Sequence, residues 1–339
     1  MAAKNTDPAR PGRCGVYPRT VATLTDDLAA EYRALTEACG LLDRSERGKL
    51  VLTGSEAKAF LAGQVTNDIE GLEDGRGCYA AFLTHKGKMV GDLRVLAVGG
   101  PEPELLLDTE RATLQALFDM IRRFKIGFDV ELHKGTLEKG LLSLIGPDAR
   151  TIACAEDLPD EEHSHRAGTI ADLPVRLIVT DVGIDVLCSA DDTEAIRGAL
   201  QGGDAAPVSE YAAEIVRVER GRPRYGVDVD DATIPQEAGL NARAVSFTKG
   251  CYVGQETVAR LFYKGKPNRH LRGLRLSEPV PGGAELRLGE RTVGRLGSAL
   301  VSPALGPIGL ALVRREASPG DVLDLGSGAG VEVVELPFA

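Results

Sequence analysis

The densest run of side chains able to do chemistry lies between residues 210 and 270. Lys249-Gly-Cys-Tyr-Val-Gly-Gln-Glu256 holds an ammonium, a thiol and a carboxylate in one short stretch. A helix is predicted to begin at Gly254-Gln255 and run through Phe262. A thiol between a lysine and a helix N-terminus loses its proton below the free value of about 8.5, so Cys251 is expected to be a reactive thiolate. Gly250 and Gly254 would let a ligand or partner come close. The competing reading is a cysteine packed under the C-terminal region. The other cysteines, Cys14, Cys39, Cys78, Cys154 and Cys188, are scattered without a CxxC pair, which argues against a zinc ribbon or a cluster cradle. Each is expected to be a small buried or partly buried hydrophobe. His163-Ser-His165 follows Glu161 and Glu162, but the whole run from Glu156 to Gly168 is polar. A solvated loop is expected there, and no metal centre.

Charge adds a second signal. Ala242 to Arg275 contains eight Lys or Arg against one acid, Glu256. With a net −10 overall and +7 in this stretch, the remainder of the chain stands at −17. A basic strip on an acidic chain reads as an anion site; a solvated helix face is the alternative, and it leaves the missing acids unexplained.

These groups need elements to hold them. Thr25 is predicted to cap a helix with Asp26 and Asp27 in its first turn, Leu28, Tyr32, Leu35 and Cys39 on one face, and Gly40 as its stop. Strands are expected around 50–53, 79–83, 92–98 and 105–107. A short helix opened by Gly54-Ser55 carries Phe60 and Leu61. Asp108 or Thr109 is expected to cap a helix with Leu114, Leu117, Phe118 and Ile121 inward and Arg122, Arg123 and Lys125 near its C-terminus. Ser209 is expected to cap a helix from Glu210 to Arg220. Leu50-Val-Leu-Thr-Gly-Ser-Glu-Ala57 resembles Leu142-Ser-Leu-Ile-Gly-Pro-Asp-Ala149, and the strand and helix of 105–121 resemble those of 184–200. Two related strand–helix–strand–strand–helix units would explain both matches; chance similarity of short apolar strings is the alternative.

From Leu271 helical signals stop. Short strands at 271–276, 284–288, 292–301, 308–314, 321–325 and 331–336 alternate with Gly or Pro turns, the pattern of a small barrel. Val322 to Gly330 imitates the glycine loop of an S-adenosylmethionine-dependent methyltransferase. That loop needs a helix behind it and a second parallel strand beyond, whereas Val331-Glu-Val-Val-Glu335 alternates like a strand, so a hairpin is expected.

Length and composition set the frame. A chain of 339 residues predicts two to three domains. The reading here is a loose leader at 1–20, α+β units over 21–135 and 136–265, and a barrel over 266–339. With 43% hydrophobic and 27% charged residues the chain is globular, not disordered. The acidic balance argues against a general nucleic-acid or anionic-membrane binder. No apolar run approaches the ~18 residues of a membrane span, and the N-terminus lacks the apolar core of a secretory signal, so a cytoplasmic protein is expected. Trp is absent, so a flat aromatic ligand must stack on Tyr or Phe, or not stack at all.

Lys249 to Glu256 resembles the signature of the YgfZ family of folate-binding proteins, whose mitochondrial relatives act in iron–sulfur cluster assembly. That family belongs to the aminomethyltransferase (glycine cleavage T-protein, GcvT-like) superfamily. Cys39-Gly-Leu-Leu-Asp-Arg-Ser45, Leu52-Thr-Gly-Ser-Glu-Ala57 and Gln64-Val-Thr-Asn-Asp68 resemble the superfamily's N-terminal segment. Arg217-Val-Glu-Arg-Gly-Arg-Pro-Arg-Tyr-Gly-Val-Asp228 resembles its central one, so the resemblance covers nearly the whole chain. It implies an α+β fold, a ring of two related α+β units plus a small C-terminal β-barrel, with tetrahydrofolate in the central hole. It implies that Glu219 bonds the pterin and that Asp92, in Gly91-Asp-Leu-Arg-Val95, lies near the reactive nitrogens. Asn67, Tyr225, Lys249 and Arg243 would help to hold the cofactor. Tyr225, Tyr252 or Phe82 would stand in for the missing tryptophan. Arg243, Lys264, Lys266 and Arg269 would hold a polyglutamyl tail.

Asp92 and Cys251 are the implied chemical groups, with Lys249, Gly250, Tyr252, Gly254, Gln255 and Glu256 completing the motif. Aminomethyltransferases usually carry a pair of acids where Gly91-Asp92 stands, and they lack the Cys motif. The resemblance thus implies an accessory protein that helps assemble or repair iron–sulfur clusters in client or scaffold proteins, with a link to tRNA modification. The alternatives are a folate-dependent one-carbon transferase or demethylase using Asp92, and an interaction scaffold with a vestigial folate hole. A monomer is expected, without membrane or direct nucleic-acid contact.

Overall fold

The computed structural model describes residues 25–325 and 330–338; the leader expected at 1–20, with Cys14, lies outside them. Helix α1 (Asp26–Glu37) opens as its sequence dictates: Thr25 Oγ1 accepts the Leu28 amide at 3.2 Å, and Asp26 and Asp27 lie at the positive end of the dipole. It ends at Glu37, and Gly40 begins strand β1 (Gly40–Asp43) instead of stopping the helix. The glycine serves close contact: a Cβ would stand 2.5 Å from Leu35 Cδ2 and 3.0 Å from Val208 Cγ1. Then follow β2 (Gly48–Thr53), α2 (Ala57–Ala62), β3 (Arg76–Leu83), β4 (Met89–Val98), β5 (Glu104–Thr109), α3 (Leu114–Phe124) and β6 (Glu131–Lys134).

Asp108 and Thr109 do not cap α3. Both belong to β5, where Asp108 pairs with Arg47 at 2.9 Å and Arg94 at 3.0 Å and the Thr109 hydroxyl donates to the Asp92 carbonyl. Helix α3 starts after Thr113 and buries Leu117 and Ile121.

A second unit holds β7 (Lys139–Ile145), α4 (Ala149–Ile152), β8 (His165–Ile170), β9 (Leu173–Thr180), β10 (Gly183–Ser189), α5 (Thr193–Gly202) and β11 (Ala206–Pro207). The strand order is β3-β4-β5-β2-β6 in one sheet and, read in the matching direction, β8-β9-β10-β7-β1-β11 in the other. Each unit therefore runs strand, helix, three strands, helix: the three strands expected at 79–83, 92–98 and 105–107 are present in the first, and the condensed strand–helix–strand–strand–helix pattern of the repeat is one strand short. The turn after the first strand uses a left-handed glycine in both, Gly54 at φ 105° and Gly146 at φ 129°. A Cβ on either would stand 2.3 Å from a main-chain oxygen, that of Asp129 or of Ala38. The recurring Leu-to-Gly string thus has a steric cause at equivalent places.

The two sheets meet at a seam of Val51, Leu96, Leu106 and Ile178, with Arg94 of β4 paired to Asp185 of β10 at 2.7 Å. His163 and His165 sit at this seam, not in a solvated loop; they are 6% and 3% exposed. The His165 amide donates to the Gly75 carbonyl at 2.8 Å, which draws the polar run inward. Among the described residues no three metal-ligating side chains converge.

After α6 (Glu210–Glu219), capped by Ser209 on the Ala212 amide, come α7 (Asn241–Ala244) and α8 (Gln255–Lys264). The rest is a closed barrel in the order β12-β15-β14-β13-β16-β17. Its strands are β12 (Arg269–Leu276), β13 (Glu285–Leu288), β14 (Arg291–Ser302), β15 (Gly306–Arg314), β16 (Val322–Asp324) and β17 (Gly330–Val334). Strict alternation fills it: Val331 and Val333 point inward while Glu332 points out. Val322 and Leu323 pair antiparallel with Glu332 and Val331, so the glycine run joins a hairpin; its tip, 326–329, lies outside the described residues. One core cluster takes Leu28 from α1, Ala81 and Met89 from the first sheet, Ile145 from the second, Ile215 from α6 and Leu310 from the barrel. No helix among the described residues is long and apolar enough to cross a membrane.

Candidate functional site

Asp92 lies in the middle of β4, opposite Ala81 of β3, and is 6% exposed. Strand alternation puts Tyr79, two residues before Ala81, on the same face and within diagonal reach. The Tyr79 hydroxyl donates to Asp92 Oδ2 at 2.6 Å. Burial lifts the Asp92 carboxyl to about 6, with the Tyr79 bond and the charges of Arg47 and Arg243 pulling the other way. Burial, then the neighbouring carboxylate, holds the Tyr79 phenol well above its ordinary value, so it stays a donor. Arg243 of α7 lies 4.5 Å over the Tyr79 ring and pairs with both oxygens of Glu162. Asn67 ties this corner together, its amide donating to the carbonyls of Tyr79 at 2.9 Å and Arg243 at 3.3 Å. The Tyr225 hydroxyl reaches the Met89 carbonyl at 3.4 Å; burial, then the charges of Asp231 and Asp230 and last that of Asp92, raises its phenol to about 12.

Gly91 faces the other side of β4, where a Cβ would stand 2.7 Å from the Phe82 ring and 3.0 Å from Thr113 Cβ. No acid fits at that position without displacing this core.

Glu219 ends α6 and is held elsewhere. It accepts from the Tyr32 hydroxyl at 3.1 and 3.2 Å and from the Ser302 hydroxyl. Burial raises its carboxyl, against both hydrogen bonds, and carries the Tyr32 phenol up to about 12. Glu219 lines a cavity of 520 Å³ together with Leu35, Val216, Arg220, Asp181 and Val182. Asp181 connects the two places. It lines the cavity, and its charge reaches Arg243 and His163 beside the Asp92 corner. His163 is kept neutral by burial, then by Arg94 and Arg243, which lower it to about 3.

Cys251 is exposed in the loop between α7 and α8. Its expected activators are turned away. Lys249 donates its ammonium to the carbonyls of Ala62 and Val65 and lies 5.1 Å from the Tyr252 ring centre. Burial lowers that ammonium to about 8, and its charge acts on the thiol of Cys78. Gly254, at φ 85°, closes on the main chain of the β3–β4 turn: a Cβ would stand 2.6 Å from the Thr84 oxygen, so its role there is structural. Gly250 is exposed with open space around it. Gln255 bonds the Tyr252 carbonyl through its amide and Glu256 is exposed. Of the expected stacking rings, Phe82 and Tyr252 are buried and only Tyr225 is half-exposed. Cys39 and Cys188 are buried as expected, whereas Cys154 is exposed.

The basic strip does not converge. Arg243 serves Glu162, Arg269 serves Glu237 at 2.8 Å and Arg272 serves Glu335 at 2.6 Å, while Lys264 and Lys266 are exposed at the end of α8 and beyond. Acids missing from the strip are thus supplied from distant parts of the chain. Tyr79, Asp181 and Ser302 were not singled out in the sequence, where Tyr32 reads only as a helix-face residue and Glu162 only as part of a polar run; the strand register and the barrel placement bring them in.

Residues 3–249 match the family model for the GCVT N-terminal domain. The chain is 31% identical over 328 residues to an aminomethyltransferase of Thermotoga petrophila, covering 91% of this chain and 88% of that one. It is 28% identical over 309 residues to a putative chloroplastic transferase of Arabidopsis thaliana, covering 88% and 71%. In architecture it is similar to the crystal structure of glycine cleavage system aminomethyltransferase T from Bartonella henselae, with a TM-score of 0.81 at 22% identity over 92% of this chain and 89% of that one. With the mixed sheets and the closed barrel already in place, these matches establish that the chain belongs to the GCVT aminomethyltransferase family.

Proposed function

We propose that this chain is a tetrahydrofolate-binding accessory protein of the cytoplasm that supports iron–sulfur enzymes, with Cys251 as the group that meets its clients. The observation carrying the reading is Glu219, whose half-buried carboxyl lines a cavity of 520 Å³, inside the ~300–1,000 Å³ range of small-ligand sites; the buried Asp92 lies outside that lining. The donor set fits the ligand. An ionised carboxylate has about four acceptor positions. Tyr32 and Ser302 leave Glu219 with capacity for the N–H groups of an aminopyrimidine edge. Folate, when bound, supplies a one-carbon carrier. This chain's part is to orient it through Glu219 and to hold a proton at Asp92 with Tyr79 as the fixed donor. Cys251 lies outside the cavity on an exposed loop, which suits contact with another protein better than contact with folate.

The second reading, a folate-dependent one-carbon transferase, draws on Asp92: a carboxyl lifted to about 6 is suited to proton transfer near neutrality.

Calorimetry with tetrahydrofolate on wild type and Glu219→Ala tests the site; loss of one charge-assisted contact should weaken binding by ~1.5–3 kcal/mol. Equal affinities would remove Glu219 from it. Steady production of methylene-tetrahydrofolate by the purified protein, abolished in Asp92→Asn, would promote the transferase. In cells, Cys251→Ser should keep folate binding yet lose support of iron–sulfur enzymes.

A further inference from the structure

Helix α8 turns an unusual face outward. Val258 anchors it in the core, but Phe262 and Tyr263 are 46% and 67% exposed. Phe262 stacks on Phe247 with centroids 3.8 Å apart and meets Tyr263 edge-on at 5.0 Å. Glu256, Arg260 and Lys264 follow at successive four-residue steps, the spacing that puts side chains on one helix face, and Lys266 lies just beyond. The nearby cations Arg243, Arg269 and Arg272 are neutralised by acids from elsewhere; Arg260, Lys264 and Lys266 have no ion-pair partner among the described residues. Aromatic rings beside unneutralised cations are the composition of an interface core and its rim.

We propose that the α8 face is the docking surface for an acidic protein partner. Its carboxylates would meet Arg260, Lys264 and Lys266, and its apolar side chains would cover Phe262 and Tyr263. Charge complementarity selects this occupant. Outside the strip the chain stands at −17, so the unpaired cations of this face favour an acidic partner over the net acidic remainder, which orients the encounter. Nucleic acid fits less well: Phe247 occupies one face of Phe262, and Tyr263 stands at 82° to it, so the rings offer no parallel platform for bases. The exposed loop of Cys251 leads directly into α8, so a partner docked there is brought to the thiol. The proposal deepens the accessory reading and rests on it for the reason a partner docks.

The test places a photo-crosslinking phenylalanine at position 263 of the full chain in its native host, with the same probe at the equally exposed Val322 as control. Proteins crosslinked only from position 263 are identified, purified and titrated against wild type, Tyr263→Ser and the triple variant Arg260→Glu/Lys264→Glu/Lys266→Glu. The expected result is an acidic protein whose affinity falls roughly ten-fold or more in both variants, as like-charge contacts replace complementary ones. Tetrahydrofolate with one and with several glutamates is titrated on the same proteins and should not distinguish wild type from the triple variant. Three outcomes overturn the proposal: no protein crosslinked above the control, nucleic acid crosslinked in its place, or a partner indifferent to charge reversal. A loss of polyglutamyl preference on reversal also overturns it, because the cations then serve a folate tail. Iron–sulfur enzyme activity in cells carrying Cys251→Ser is a separate readout. If it is normal while the partner still needs α8, docking stands and the accessory reading falls.

Discussion

A carboxyl at the centre of a β-strand is costly unless something holds it, and Asp92 is held by one phenol and by the distant charges of Arg47 and Arg243. Its value moves from 3.8 to about 6, chiefly through burial. Between those values the native state binds more protons than the unfolded chain, so this residue's contribution is full at low pH and is lost as pH rises through about 6. Asp92→Asn removes the titration. The stability of the variant relative to wild type should therefore improve by about 2–3 kcal/mol between acid and neutral pH, taking ~1.4 kcal/mol per pKa unit. Urea unfolding of both proteins across that range checks it. A difference independent of pH would mean that the native carboxyl ionises without cost, and the proton-holding role of Asp92 would go with it.

Most elements could be read from the chain because their signals are local. Thr25 and Ser209 announce helix starts through their own hydroxyls, and the last barrel strand, β17, alternates residue by residue. The failures were non-local. Asp108 looks like a cap until Arg47, from the turn before β2, and Arg94, from β4, claim it; His163 and His165 look solvated until Gly75 and Gly77 of the first unit close over them. The site was legible in the same measure: Glu219 and Asp92 were reached only through the family resemblance of their segments, and Tyr79, Tyr32 and Ser302 become partners only through pairing register and domain placement. The Cys motif shows the same division. Gly254 lies at φ 85° with the Thr84 carbonyl where a Cβ would go, whereas Gly250 has open space. Gly254→Ala should therefore cost about 1–3 kcal/mol, as strained left-handed positions do, and displace the Cys251 loop. Gly250→Ala should stay within about 0.5 kcal/mol. Thermal unfolding of the two variants decides; equal losses would show that the loop does not depend on its approach to the β3–β4 turn.

At the scale of the whole molecule, strand β14 locks the barrel to the body and to the cavity at once. Ser298 and Ser302 lie on one face of it, four residues apart. The Ser298 amide donates to Asp228 Oδ1 at 2.7 Å, and its hydroxyl meets Arg217. Ser302 donates to Glu219. Arg217 and Glu219 both belong to the last turn of α6, so helix and strand are keyed at two points, one structural and one in the cavity. Asp228 is the centre of the structural key: it also accepts from Arg217 at 2.9 Å and from the Arg224 amide at 2.9 Å, with its side chain fully buried. Asp228→Ala leaves the Ser298 amide without its acceptor and removes one buried counter-charge from Arg217, whose remaining carboxylate is Glu214 at 2.8 Å. Breaking one side of such a buried pair costs about 3–5 kcal/mol. The loss should concentrate at the junction. Amide exchange at Ser298 should accelerate far more than at Leu107 in the centre of the first unit's sheet, and tetrahydrofolate affinity should fall because Ser302 no longer fixes Glu219. If both amides accelerate alike, barrel and body unfold as one unit, and the placement of Glu219 owes nothing special to β14.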